Sequence, residues 1–332
     1  MRIFTRFLCK KLLRLAALLA TVSILSFLLV SLSPIDPISA YIGAEMLQIS
    51  PEQRAIIAAR WGLDKPIAQR LAHWGRQILQ GNFGRSMIYN EAVLTVIGKR
   101  FLTSLQLMAA AWLLSGIAGF LLGLFSGLYE GSLFDSFVRL YSYTLASTPA
   151  FWIGMVLLVL FSVSLQWTPV CCASPLGVLP EDVTLLQKLH HILLPALTLS
   201  IVGIANIALH TREKTIDIMH SDYVLFARAQ GESTLGIAWH QALRNVALPA
   251  ITLQFASLSE LFSGSVLAEQ VFSYPGLGKA TVEAGIRGDV SLLLGIVMFS
   301  TIFVFSGNTI ADLCYLSIDP RMRTEGQVEH AG

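Results

Sequence analysis

The chain has 332 residues, 54% of them hydrophobic and only 13% charged, about half the charge fraction of a soluble domain. That deficit, gathered into long uncharged runs, excludes a soluble globular enzyme, and a net charge of +2 gives no bulk attraction for nucleic acid. The four cysteines, Cys9, Cys171, Cys172 and Cys314, make no CxxC pair and no regular framework.

The uncharged runs are Leu15–Ile35, Phe101–Tyr129, Leu140–Pro180, Ile192–Thr211 and Val290–Ala311. A helix needs about 20 mostly apolar residues to cross the hydrocarbon core. Six transmembrane helices are predicted, at 12–33, 101–128, 139–165, 191–210, 246–269 and 291–315, which makes this an all-α integral membrane protein. Arg2, Arg6, Lys10, Lys11 and Arg14 precede the first span and place the N-terminus in the cytoplasm by the positive-inside rule. The apolar stretch is too long for the h-region of a signal peptide, so it reads as a retained span. An even number of spans returns the C-terminus to the cytoplasm, where Arg321 and Arg323 lie.

Residues 34–100 then fall outside. They carry eight Lys and Arg, but the segment is longer than about 60 residues, a length at which loop charge no longer determines orientation. Ser50 is a candidate N-cap, with Pro51 at the first helical position and Gln53 completing a capping box. Ile67, Leu71, Trp74 and Ile78 recur on one face of a second helix, and Gly81-Asn82 stops it. The segment is predicted to be a small extracytoplasmic helical element.

Beyond the third span, Cys171 and Cys172 read as two loop thiols, with a redox or metal role as the alternative. His190 and His191 read as residues of the membrane interface. The stretch "SDYVLFARAQGESTLGIAWHQALRNVALP", residues 221–249, is polar and helix-prone between two apolar spans. It reads as two short helices flanking Gly231, with Pro249 opening the next span. A helix–turn–helix there can dock into the groove of a soluble partner and pass rigid-body motion into the attached spans.

Glu260 lies in mid-span and Glu269 closes the same helix. A carboxylate at that depth faces water or a partner, because leaving it bare in lipid costs several kcal/mol. Nine residues of helix turn the two about 180° apart, so they do not form one paired site. Both are candidates for a translocation path; for Glu260, a lining that favours cations and a structural hydrogen bond to a neighbouring span remain open. Ser263-Gly264-Ser265 fits close helix packing better than a nucleophile. There is no GxxxxGK[ST] run, Gly278-Lys279 lacking the spacing, and no HExxH or GxSxG. No catalytic residue, metal site or cofactor is expected.

Four stretches in order carry a resemblance: "GLDKPIAQRLAHWGRQILQGNFGRSM" (62–87), "ARAQG" with "ALRN" and Pro249, "EQVFSYPGLG" (269–278) and "SIDPRMR" (317–323). Together they resemble the permeases of ABC importers, in the oligopeptide/dipeptide/nickel branch, almost end to end. The resemblance implies the type I importer permease fold, with residues 1–33 as the cytoplasmic N-terminus and first span. Residues 34–100 form the outside segment, 101–316 the five-helix core with a coupling loop at 211–247, and 317–332 the cytoplasmic tail. Ala227, Arg228, Ala229, Gly231, Arg244 and Pro249 match the ATPase-coupling motif, the small residues seating the loop and the arginines facing the partner's acidic rim or lipid headgroups. Pro275, Gly276, Gly278, Asp319, Pro320 and Arg321 match the other family motifs.

Implied partners are a second permease subunit, two cytoplasmic ATP-binding subunits, an extracytoplasmic substrate-binding protein and membrane lipid, in the bacterial inner membrane. Leu225 stands where the coupling motif has its glutamate, so a contact through that glutamate does not carry over. "VCCASPLG" is poorer in glycine and tyrosine than the family's loop. The implied cargo is nickel, a metal chelate or a di- or oligopeptide, Glu260 tilting the reading toward a cationic or metal-bearing substrate. A sugar or opine permease is the alternative. A secondary transporter would show inverted repeats with broken helices, and no repeat is visible.

Overall fold

The computed structural model describes residues 2–32, 65–179 and 181–318, with single positions between 50 and 59. It is helical throughout: among the described residues the only β-type pairing is an isolated bridge from Arg85 to Ala92. Helix α1 covers Arg2–Ser31, α2 Ile67–Leu79, α3 Val93–Leu128, α4 Leu133–Ala146 and α5 Ala150–Leu157. Helix α6 is Leu185–Met219, α7 Asp222–Ala229, α8 Thr234–Ile237, α9 Leu243–Ala256, α10 Leu258–Val271, α11 Leu277–Ile286 and α12 Val290–Ile318. Lys10–Ser31, α3, α6 and Val290–Ala311 are each long and apolar enough to cross a membrane, and the total among the described residues is six if each of two bent pairs counts as one span.

The bent pairs are the predicted third and fifth spans. The third is not one helix over 139–165: α4 and α5 meet at 108°. Pro149 causes the break, since it has no N–H to donate and pushes Thr148 out of the helical region. Past α5 the chain widens into a π-helical turn, Leu158–Ser164. The fifth span bends by 52° between α9 and α10, where Ser257 has ψ near zero and its hydroxyl donates to the Gln254 carbonyl at 2.8 Å.

Helix α6 runs beyond the predicted 191–210 at both ends. Thr184 and Gln187 start it with a complete capping box, and Arg212, Glu213, Lys214 and Asp217 ride on its last two turns. Charge limits a membrane span but does not stop a helix, and 35 residues measure about 52 Å at 1.5 Å each. For the same reason α3 begins at Val93, ahead of the predicted Phe101.

The chain divides into two compact units, residues 1–102 with 276–305 and residues 103–275 with 306–332. In the first unit, buried Phe27 of α1 packs on Trp74 of α2, ring centroids 5.7 Å apart. Phe101 meets Phe299 and Phe303 edge-on. Fully buried Asp289 gathers the loop after α2: one oxygen accepts from the Ser86 hydroxyl (2.6 Å) and the Met87 and Ile88 amides, the other from the Leu292 amide. Ser50 accepts from the Gln53 amide as predicted, at 3.2 Å, while Pro51 lies outside the described residues.

In the second unit α6 is the central element. Gly119, Gly123 and Gly127 of α3 press against it so closely that a Cβ on any of them would fall within 3.0 Å of Ile207, Ala208 or Thr215. In lipid, where side chains gain nothing hydrophobic by leaving one apolar phase for another, such small residues let dispersion contacts hold helices together.

Candidate functional site

The polar stretch after α6 folds as a helix–turn–helix whose geometry follows from its sequence. Asp222 in the first turn of α7 and Arg228 in the last complement the helix dipole. The Gly231 amide donates to the Arg228 carbonyl at 2.9 Å and the Glu232 amide to Ala227 at 3.1 Å. This is a Schellman ending, which needs a left-handed residue after the C-cap. Gly231 supplies it with φ +84°. Ser233 then caps α8 by accepting from the Gly236 amide, and a π-helical turn, Ala238–Ala242, joins α8 to α9.

The loop has its own core. Ile218 and Met219 of α6, Val224 and Ala227 of α7, then Ile237, Ala242 and Val246 are buried together, with Phe120 and Leu128 of α3 packed on them. Phe226 is 66% exposed and Trp239 72% exposed, beside exposed Tyr223, Leu225, Arg228, Leu235 and His240. A cleft of about 640 Å³ opens between α7 and the start of α9, lined by Tyr223, Phe226, Ala227, Gln230, His240, Arg244 and Asn245. His240 donates from Nδ1 to the Gly236 carbonyl at 3.0 Å, with Glu232 at 3.3 Å from the same nitrogen.

The sequence-predicted coupling residues thus divide. Arg228, Ala229, Gly231, Arg244 and Pro249 are exposed, whereas Ala227 is small because it packs inside the loop. Gly231 has open space where a Cβ would stand, so backbone conformation, not close approach within this chain, demands the glycine. The exposed aromatics and the cleft went unread in the sequence. Their signal was the three-residue interval Val224–Ala227, which turns Phe226 and Leu225 outward.

The acidic pair also divides. Glu260 is exposed in the first turn of α10, just past the break. Glu269 is fully buried and accepts from the Ser104 hydroxyl at 2.6 Å. Beyond α10, Ser273 takes φ +46° and buried Tyr274 donates its amide to the Glu269 carbonyl. Burial, with the nearby Glu269 charge adding, pushes the Tyr274 hydroxyl up to about 12. Pro275 is half-buried, and Gly276 and Gly278 are buried at the start of α11; Asp319, Pro320 and Arg321 lie outside the described residues.

Cys171 and Cys172 are not two separate thiols: they form a vicinal disulfide. His191 donates from Nδ1 toward the Cys171 and Cys172 carbonyls, and the Cys172 amide donates to the Phe272 carbonyl. His190 holds the Trp167 carbonyl at 2.8 Å. Adjacency alone did not mark the pair as bonded, because joining neighbours needs the turn that Cys172 makes at φ +76°.

Residues 119–324 match the family of binding-protein-dependent transport system inner membrane components, and residues 4–108 match that family's N-terminal membrane component. The chain belongs to this permease family. The permease is 34% identical over 317 residues to a di/tripeptide transport system permease protein of Pseudomonas aeruginosa, covering 91% of this chain and 94% of that one. It is 31% identical to a dipeptide transport system permease protein of Escherichia coli K12, over 91% and 94% of the two chains. A Bacillus subtilis oligopeptide transport system permease protein is 29% identical over 92% and 95%. The permease is therefore a multi-pass inner-membrane subunit of an ABC transport system, and it performs transport, not catalysis.

Proposed function

We propose that this permease forms half of the translocation path of an ATP-driven importer of di- or oligopeptides, with residues 211–247 as its coupling loop. The observation that carries the coupling assignment is the internally packed loop that leaves Tyr223, Phe226 and Arg244 exposed along a cleft, with Trp239 and Arg228 exposed on the same loop. Exposed aromatics and an arginine beside a pocket are the anchors that protein interfaces favour. The other partners in this reading are a second permease, two cytoplasmic ATP-binding subunits and an extracytoplasmic binding protein. Basic residues at the N-terminus support cytoplasmic termini, with residues 34–100 outside and 317–332 as the inner tail.

In this scheme ATP-driven closure of the ATP-binding subunits moves the loops of both permeases and opens the path outward to the loaded binding protein. Hydrolysis returns it inward. Arg244 and Arg228 face the partner's acidic rim, and Pro249 lies inside α9, the stem below the loop, and not at its start as the sequence suggested. The peptide assignment rests on the named relatives and replaces the lean toward a metal. Glu260 agrees with it, because a peptide's terminal ammonium is a cation, and a carboxylate at a break in a span is placed to meet it. Glu269 is left out of the path, its carboxylate being buried against Ser104.

Two variants test this in cells. Gly231→Arg forces a side chain into a left-handed turn and crowds the docking face. It is expected to abolish ATP-dependent dipeptide uptake while membrane insertion stays normal; normal uptake by the inserted variant contradicts the coupling assignment. Glu260→Gln is expected to lower uptake of dipeptides with a free amino terminus more than that of N-acetylated ones. Equal uptake of both at the wild-type rate returns Glu260 to a structural role.

A further inference from the structure

Asp135 is fully buried in the first turn of α4, and four neighbours converge on its carboxylate. Arg212 of α6 binds it at two points, Nε at 2.5 Å and Nη2 at 2.8 Å. The Ser126 hydroxyl near the end of α3 donates at 2.6 Å and the Gly131 amide of the α3–α4 turn at 3.0 Å. Arg139, one turn further along α4, stands 3.7 Å away. A single carboxylate therefore ties the end of α3, the corner after it and the start of α4 to α6, seven residues before α6 ends at Met219.

This tie lies where motion of the loop would enter the bundle. Along the same stretch, α3 is locked to α6 by Gly119, Gly123 and Gly127. Phe120 and Leu128 of α3 pack into the loop's own core beside Met219 and Val224. The helices bend elsewhere, at the 108° corner after α4 and at the 52° bend after α9. A planar guanidinium gripping a carboxylate at two points fixes angle as well as distance.

We propose that the Asp135–Arg212 pair is a positioning element for energy coupling. It makes the coupling loop, the end of α6 and the α3–α4 corner move as one body, so that displacement of the loop reaches the path instead of dissipating where the loop meets α6. This rests on the coupling reading above, and neither residue touches substrate or nucleotide.

The test measures ATP hydrolysed and peptide taken up by the assembled complex in proteoliposomes, using a dipeptide pool read by mass spectrometry. Asp135→Asn keeps size and some hydrogen bonding while removing the charge. The expected result is an assembled complex that still hydrolyses ATP, with uptake per ATP lowered about tenfold. Asp135→Asn/Arg212→Gln is expected to match the single variant, because the pair acts as a unit. If Asp135→Asn fails to assemble, Arg212→Lys, which keeps the charge but loses the two-point grip, is read the same way. A merely structural pair would lower hydrolysis and uptake together at constant uptake per ATP, and that result overturns the proposal. Wild-type uptake per ATP in Arg212→Lys and Asp135→Asn, alongside loss of uptake in Gly231→Arg, overturns it while leaving the coupling loop in place. A wild-type complex that hydrolyses ATP but imports no peptide overturns both readings.

Discussion

Single residues in this permease carry more than one demand, and the site turns on which demand wins. Ala227 and Gly231 sit in one short motif, both small, for different reasons: Ala227 fills a tight place in the loop's core, while Gly231 makes a turn that other residues enter at a cost of about 1 kcal/mol. The motif's spacing was legible in the sequence because caps and turns are local. The inward or outward direction of each side chain was only half legible, because it depends on where α3 and α6 lie. Tyr89 gives a test at this scale. It donates to Glu283 at 2.6 Å, and burial, followed by that hydrogen bond, pushes its hydroxyl from 10.0 up to about 12. A raised pKa in the fold means that protonated Tyr89 contributes stability fully present below pH 10, and that this contribution is lost as pH climbs toward 12. Tyrosinate absorbance of the detergent-purified permease should therefore show a late-ionising fraction that shrinks in Tyr89→Phe. An unchanged late fraction in that variant would contradict the contact.

At the scale of elements, six apolar segments were legible because span length and the absence of charge are properties of composition. Their continuity was not. Pro149 was visible in the sequence, yet neither a 108° corner nor the 52° bend at Ser257 follows from hydropathy, which averages over the break. The close packing of α3 on α6 was likewise hidden, since "GFLLGLFSG" reads only as part of a long apolar run. That packing predicts a sharp contrast. Gly123→Val drives a side chain into the α6 backbone at Ala208 and should destabilise the fold by about 3 kcal/mol or more. Gly98→Ala, in a stretch of α3 where nothing lies within 4 Å, should be neutral or stabilising by up to about 1 kcal/mol. Thermal unfolding of the two variants in detergent checks this; equal midpoints would contradict the packing account.

At the scale of the whole molecule, the chain is one part of a machine whose energy comes from elsewhere. Membership of the permease family was legible because four motifs stand in order along the chain. The Asp135–Arg212 tie was not, since 77 residues separate its partners and neither stands in a motif. Substrate identity was the least legible feature, because one exposed carboxylate, Glu260, suits a metal or an ammonium equally. The central claim is that the loop around Trp239 receives the work of ATP hydrolysis. A photo-activatable side chain at position 239 in the assembled complex tests it directly. The account predicts a covalent adduct with an ATP-binding subunit whose yield changes when ATP is added; adducts with lipid or with this chain alone would contradict it.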